Sequence, residues 1–226
     1  MMTLTNKTRI EWTDYSTNSI KGKCQRACPY CYAHRMYDDL GWDPTIRFVE
    51  SELTSLKKVP LGKKVFMCST HDIFGPWVLN YWIDKIFDAM EQNDLLTFQV
   101  LTKYPQRDIH RVIPPNVWMG TTIDSMSQMD NMEALMNTHP TAKICFVSFE
   151  PLLEEIKEPI DASIDWVIIG AETGRRAEKV VPKAEWVARL MNSAKDAGIP
   201  VFLKNNLNKV FNEAFIKANQ KYPEVK

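Results

Sequence analysis

The sequence lacks an excess of charge of either sign. Its 28 basic and 28 acidic residues cancel over 226 positions, so no broad field advertises a nucleic acid or a membrane as partner. It also lacks a long apolar run. Nothing approaches the ~18–20 residues of a membrane span. The opening MMTLTNKTRIEW has no apolar h-region of a secretory signal. The expectation is a cytoplasmic protein with no membrane partner. Cysteine is scarce, five in all, and in a compartment that keeps thiols reduced it builds no disulfide framework. No linker or low-complexity stretch divides the chain. One domain over 1–226 is expected, with a hydrophobic fraction of 45% to fill its core.

What is present is a repeating pattern. Short apolar runs, rich in β-branched and aromatic residues, end in polar groups at 64–70, 97–103, 116–123, 143–150, 165–172 and 200–206. They are too short for helices, and their continuous apolarity suits parallel strands covered on both faces. A further strand is expected at 16–21. Helical patterns fall at 77–91, 126–137 and 183–197, the last closed by Gly198 and Pro200. Another helix should start near Tyr32 and end by Gly41. The segment 151–164 is less regular. The tail, about 209–226, is polar, with a helix expected near 209–220, and could cap the barrel or serve as a contact surface. Alternating strand and helix predicts an α/β fold, a partial (βα)6–7 TIM-type barrel with parallel strands.

Ligands of such folds bind at the C-terminal strand ends. Those ends carry Ser69, Thr70, His71 and Asp72; Thr102 and Lys103; Thr122 and Asp124; Ser148 and Glu150; Glu172 and Thr173; Lys204 and Asn206. Any strand end is polar where it meets water, so one such residue says little. The set on one face says more. Glu150, Glu172 and Lys204 are the candidate catalytic residues, with Asn206 and the pair Arg175–Arg176 at the mouth.

Three of the five cysteines fall within eight residues, as Cys24-x3-Cys28-x2-Cys31 with Tyr30 before the third. Three thiolates on one loop suit an iron–sulfur cluster or zinc. Zinc would take His34 as a fourth ligand, which gives a metal-stabilised α/β binding protein without further chemistry. Cys68 and Cys145 sit inside strand runs, where a thiol usually packs as a small hydrophobe; a radical-quenching thiol is the minority reading. Trp12, Trp42 and Trp77 lie outside the strands and are core candidates before they are stacking platforms.

CQRACPYC resembles the CxxxCxΦC motif of the radical S-adenosylmethionine (SAM) superfamily, with Tyr30 at the aromatic position. The chain is also similar, over nearly its whole length, to a phage-associated family of three-cysteine-motif proteins. The stretches that carry this likeness are IEWTD (10–14), CPYCYA (28–33), TFQVLTK (97–103), FVSFEPLL (146–153), DWVIIGAETG (165–174) and GIPVFLK (198–204). Many members of that family space the first two cysteines more widely than this chain does.

The resemblance implies a [4Fe–4S] cluster on Cys24, Cys28 and Cys31, with one iron left open for SAM. It implies reductive cleavage of SAM to a 5′-deoxyadenosyl radical, and an electron donor of flavodoxin or ferredoxin type. Tyr30 would lie near the adenine. The superfamily's glycine-glycine-glutamate stretch is absent, and CSTHD (68–72) stands in its place. Ser69, Thr70 and Asp72 could then receive the SAM amino group, Asp72 first because an ammonium favours an anion. Thr102 and Lys103 could reach the ribose and the carboxylate. The mixed acids, amides and lysine at the mouth suit a polar small molecule or a nucleotide. Lys21, Lys23, Arg26 and Arg175–Arg176 keep a nucleic acid in view as a partner.

Overall fold

The computed structural model describes residues 6–224. Chain order runs β1 (Asn6–Lys7), β2 (Tyr15–Thr17), β3 (Ile20–Lys21), α1 (Tyr32–Leu40), β4 (Arg47–Phe48), α2 (Glu50–Thr54), β5 (Lys64–Met67), α3 (Asn80–Glu91), β6 (Thr97–Thr102) and β7 (Val117–Thr122). It continues with α4 (Asp130–Thr138), β8 (Cys145–Phe149), β9 (Trp166–Ile169), α5 (Ala184–Asp196), β10 (Val201–Leu203) and α6 (Glu213–Ala218). The main sheet has the order β1-β2-β5-β6-β7-β8-β9-β10. All its pairs are parallel except β1 with β2. Seven parallel strands curl into a half-barrel, the partial TIM-type barrel that the apolar runs predict.

Register decides which side chains meet. Phe66 pairs with Gln99 and Gln99 with Trp118; Leu101 pairs with Gly120, Gly120 with Phe146, and Phe146 with Trp166. With a side-chain period of two, these residues share the concave face. There they form a second core with Trp12, Ile144, Ile168 and Phe202. Trp12 enters from the N-terminal turn and packs against Phe66, Phe146 and Trp166, with ring centroids 4.8, 6.3 and 6.2 Å away. Gln99 Nε2 holds the Trp12 carbonyl at 3.3 Å. The opposite residues of each strand face α3, α4 and α5 in the larger core. Both faces are thus covered, which is why the strands read as continuous apolar runs.

Gly120 makes room for this packing. A Cβ there would lie 2.3 Å from the Phe146 ring. The tail closes the barrel floor: Tyr222 stacks on Trp166 at 5.5 Å, and Trp166 Nε1 donates to the Lys221 carbonyl at 2.8 Å.

Two expectations change. The strand at 16–21 is split, because β3 leaves the main sheet to pair antiparallel with β4. The tail helix covers only Glu213–Ala218, since the Asn212 side chain accepts the Phe215 N–H and caps it there. The β8–β9 crossover is irregular, as expected of 151–164, and the β6–β7 crossover is irregular too. Among the described residues, no helix is long and apolar enough to cross a membrane.

Candidate active site

The cysteine loop hangs between β3 and α1. It opens at Gly22, whose φ is +103° and whose added Cβ would lie 2.4 Å from the Thr45 carbonyl oxygen. Only glycine fits there. Two side chains pin it. Gly22 N–H donates to Tyr37 Oη at 2.6 Å, and the Gly22 carbonyl lies 3.2 Å from His71 Nδ1. Trp77 Nε1 donates to His71 Nε2 at 2.8 Å, so the His71 proton sits on Nδ1, facing Gly22. Burial lowers the His71 pKa and keeps the ring neutral. The loop then turns twice, Ala27 N–H to the Cys24 carbonyl and Cys31 N–H to the Cys28 carbonyl, and Cys31 becomes the N-cap of α1. His34 is turned back onto the loop, its Nε2 2.5 Å from the Cys24 carbonyl. That nitrogen is therefore spent on the backbone.

A cavity of about 800 Å³ lies over the C-terminal ends of the strands. Cys24, Cys28 and Cys31 line it together with Tyr30, Ser69, Thr70, Asp72, Thr102, Lys103, Glu150, Glu172 and Lys204. All twelve residues expected from the sequence to hold the metal, bind the cofactor or catalyse line this cavity, whereas Asn206, Arg175, Arg176 and His34 are not part of its lining. Asp124, seen at a strand end but left out of that set, belongs to the site's frame. It accepts a hydrogen bond from Tyr30 Oη and one from Lys103 Nζ at 3.2 Å, while the Lys103 ammonium lies 5.4 Å over the Tyr30 ring. Burial, then the Asp124 bond, push the Tyr30 phenol far up.

Asp72 is braced from within the chain. Its Oδ1 accepts from Thr102 Oγ1 at 2.6 Å and Phe74 N–H at 3.0 Å, and its Oδ2 from Lys103 N–H at 2.8 Å. It therefore ties the ends of β5 and β6 together. Asn18 does the same for β2 and β5: its Oδ1 accepts from Ser69 Oγ, Thr70 N–H and Thr70 Oγ1. With their protons so directed, both hydroxyls present lone pairs to the cavity.

Across the cavity, Lys204 Nζ lies 2.5 Å from Glu150 Oε1 and 3.5 Å from Glu11 Oε2. Burial pulls the Lys204 pKa down, but the two carboxylates outweigh it and the net shift is upward. Asn206 steadies Glu150 at 3.3 Å and clamps both backbone groups of Ala171. Glu172 gives Oε1 to Arg176 at 2.7 Å. Its Oε2 is buried without a partner, as are Ser148 Oγ and Trp12 Nε1. The loop after β9 is tied to α1 by Arg35 to the Thr173 carbonyl and Arg175 to Asp39.

A sequence model of the family described as "Protein of unknown function (DUF5131)" matches residues 7–221. The chain belongs to the DUF5131 family. No curated protein matches this DUF5131 chain. Among solved structures it is similar to spore photoproduct lyase complexed with dinucleoside spore photoproduct, at 15% identity and a TM-score of 0.53, over 81% of this chain and 62% of that one. A tyrosine-to-phenylalanine variant of the same lyase superposes with a TM-score of 0.63 at 12% identity, over 90% and 79% of the two chains. A doubly substituted variant with bound AdoMet and dinucleoside spore photoproduct gives 0.53 at 14% identity, over 77% and 61%. The DUF5131 chain thus spans 62% of the length of the first of these. At such identities the likeness is one of fold.

The donor set of the DUF5131 chain fits an iron–sulfur cluster. Cys24 is 7% exposed, and burial pushes its thiol up to about 11. Burial raises Cys28 as well, against the opposing charge of Lys103. Such thiols become thiolates only beside strong positive charge, which metal ions supply. Among the described residues, no three His, Cys, Asp or Glu side chains converge as ligands of a single ion. The three thiols line the cavity of about 800 Å³.

Proposed function

We propose that this chain is a radical SAM enzyme acting on a polar substrate of the nucleotide or nucleic-acid base class. One observation carries the reading: the thiols of the C-x3-C-x2-C loop open onto the same cavity as the polar strand ends of the half-barrel. The fold likeness to a lyase whose structure holds AdoMet and a dinucleoside lesion adds support. Held by Cys24, Cys28 and Cys31, a [4Fe–4S] cluster reduced by an external one-electron donor would supply the electron for reductive cleavage of SAM and so the means of abstracting hydrogen from the substrate.

The chain's own residues have separable tasks. Cys24, Cys28 and Cys31 would hold the cluster. Ser69 and Thr70, with hydroxyl protons committed to Asn18, accept hydrogen bonds from an ammonium or a ribose. Asp72 has three of about four acceptor positions filled; its main task is to hold Thr102 and Lys103 in place, and one position is left for the SAM amino group. Lys103 offers its remaining ammonium protons to a carboxylate. Tyr30, locked to Asp124, walls the adenine side. Lys204 keeps a proton at Nζ between Glu150 and Glu11, within reach of a substrate over the strand ends.

Anaerobic reconstitution with iron and sulfide tests this. The expected outcome is a brown protein with about four irons per chain, and 5′-deoxyadenosine on adding SAM and dithionite. Cys24→Ala, Cys28→Ala and Cys31→Ala should each lose both signals. Stoichiometric zinc without SAM cleavage would instead establish a metal-stabilised binding protein.

A further inference from the structure

Three polar side chains in the cavity lining are almost wholly buried and lack a partner at one atom each. Trp12 is 2% exposed, Ser148 1% and Glu172 4%, and their orphaned atoms are Nε1, Oγ and Oε2. Buried polar groups are nearly always paired, because an unmade hydrogen bond leaves the cost of desolvation uncompensated. Of the eight such atoms among the described residues, these three belong to residues that line the cavity.

The chemistry of the three atoms is complementary. Glu172 is ion-paired with Arg176 through Oε1, and a carboxylate only accepts, so Oε2 needs an N–H or O–H. The Trp12 indole only donates, so it needs a carbonyl or ring nitrogen. The Ser148 hydroxyl does either. The cavity is also lined by apolar surface from Trp12, Phe66 and Leu101. At its rim Arg9 is exposed and, among the described residues, unpaired with a carboxylate, while the exposed Arg26 lies 5.3 Å over the Tyr104 ring. The wall lies at β8, β9 and the N-terminal turn, whereas the groups proposed for SAM sit at the ends of β5 and β6.

We infer that this wall is a recognition subsite for a nucleobase edge, a planar nitrogen heterocycle presenting both an N–H donor and an acceptor, with its phosphate at Arg9 and Arg26. The inference rests on the reading above only for taking this cavity as the substrate site. Glu172 is then a specificity residue, and the apolar lining receives the ring face.

Equilibrium dialysis of the full chain with the four deoxynucleoside monophosphates tests it, before and after reconstitution with iron and sulfide. At least one nucleotide should bind. Glu172→Gln should weaken it by about tenfold or more, the usual loss for a hydrogen bond to a charged group, and leave SAM binding unchanged. The paired change Arg9→Ala and Arg26→Ala should weaken the nucleotide more than its nucleoside. Ser148→Ala provides a second, fold-independent readout. Removing an orphaned hydroxyl should leave thermal stability equal or higher while lowering nucleotide affinity.

Absence of binding by all four nucleotides would overturn the inference. So would equal binding of ribose 5-phosphate, or a loss of stability in Ser148→Ala. A Glu172→Gln protein that loses SAM instead of nucleotide would assign this wall to the cofactor and overturn it too. Failure of SAM cleavage with nucleotide binding intact would overturn the catalytic reading alone.

Discussion

At the scale of single residues, the site is made of charges that constrain one another. Lys204 lies between Glu150 and Glu11, so none of the three can be removed without changing the other two. Lys204→Met leaves two carboxylates facing each other, and should cost about 1–3 kcal/mol in urea unfolding, since breaking a largely buried pair strands its partner. Adding Glu150→Gln should restore at least ~1 kcal/mol of that loss. Strict additivity in the double-mutant cycle would show the three groups to be independent. The cysteines were legible in the sequence because ligand spacing is local: three thiols within eight residues need no tertiary information. Glu11 and Asn18 were not. Glu11 acquires its role from Lys204, near the other end of the chain, and Asn18 from a turn after β5. No pattern around either residue records that.

Among the elements, the strands were readable and their departures were not. Continuous apolarity announced β5 to β10 because both faces are buried. Nothing in 16–21 announced that β3 would turn aside, since its partner is β4, beyond the cysteines and α1. That turn carries the loop out over the cavity. The concave face offers a sharp test of packing. Gly120→Ala would set a methyl against the Phe146 ring at 2.3 Å, on a strand buried along its whole length. Overpacking of this kind costs about 1–3 kcal/mol, and a lower urea midpoint with an unchanged slope is expected. Unaltered stability would mean that Phe146 has another place to go.

For the whole molecule, two buried histidines should make acid destabilising. Burial lowers the pKa of both His71 and His139, so the folded state holds them neutral while the unfolded chain protonates near ~6.5. Their stabilisation is complete above that pH and is lost as pH falls through it. The urea midpoint should therefore drop from pH 7 toward pH 5. The paired change His71→Asn and His139→Asn should flatten that slope, and an unchanged slope would trace it to other groups. The barrel floor has a different consequence, one of timing. Sheet order follows chain order, so neighbouring strands can dock as they appear. Trp12, however, waits for Trp166, and Trp166 for Tyr222 and the Lys221 carbonyl. Tyr222 Oη then reaches back to the Glu11 carbonyl at 3.2 Å. An early segment and a late one thus clasp beneath the cavity. Among the described residues this clasp joins the most widely separated partners, 211 residues apart, and so carries the largest loop-closure cost; the pocket has its floor only when the tail is in place.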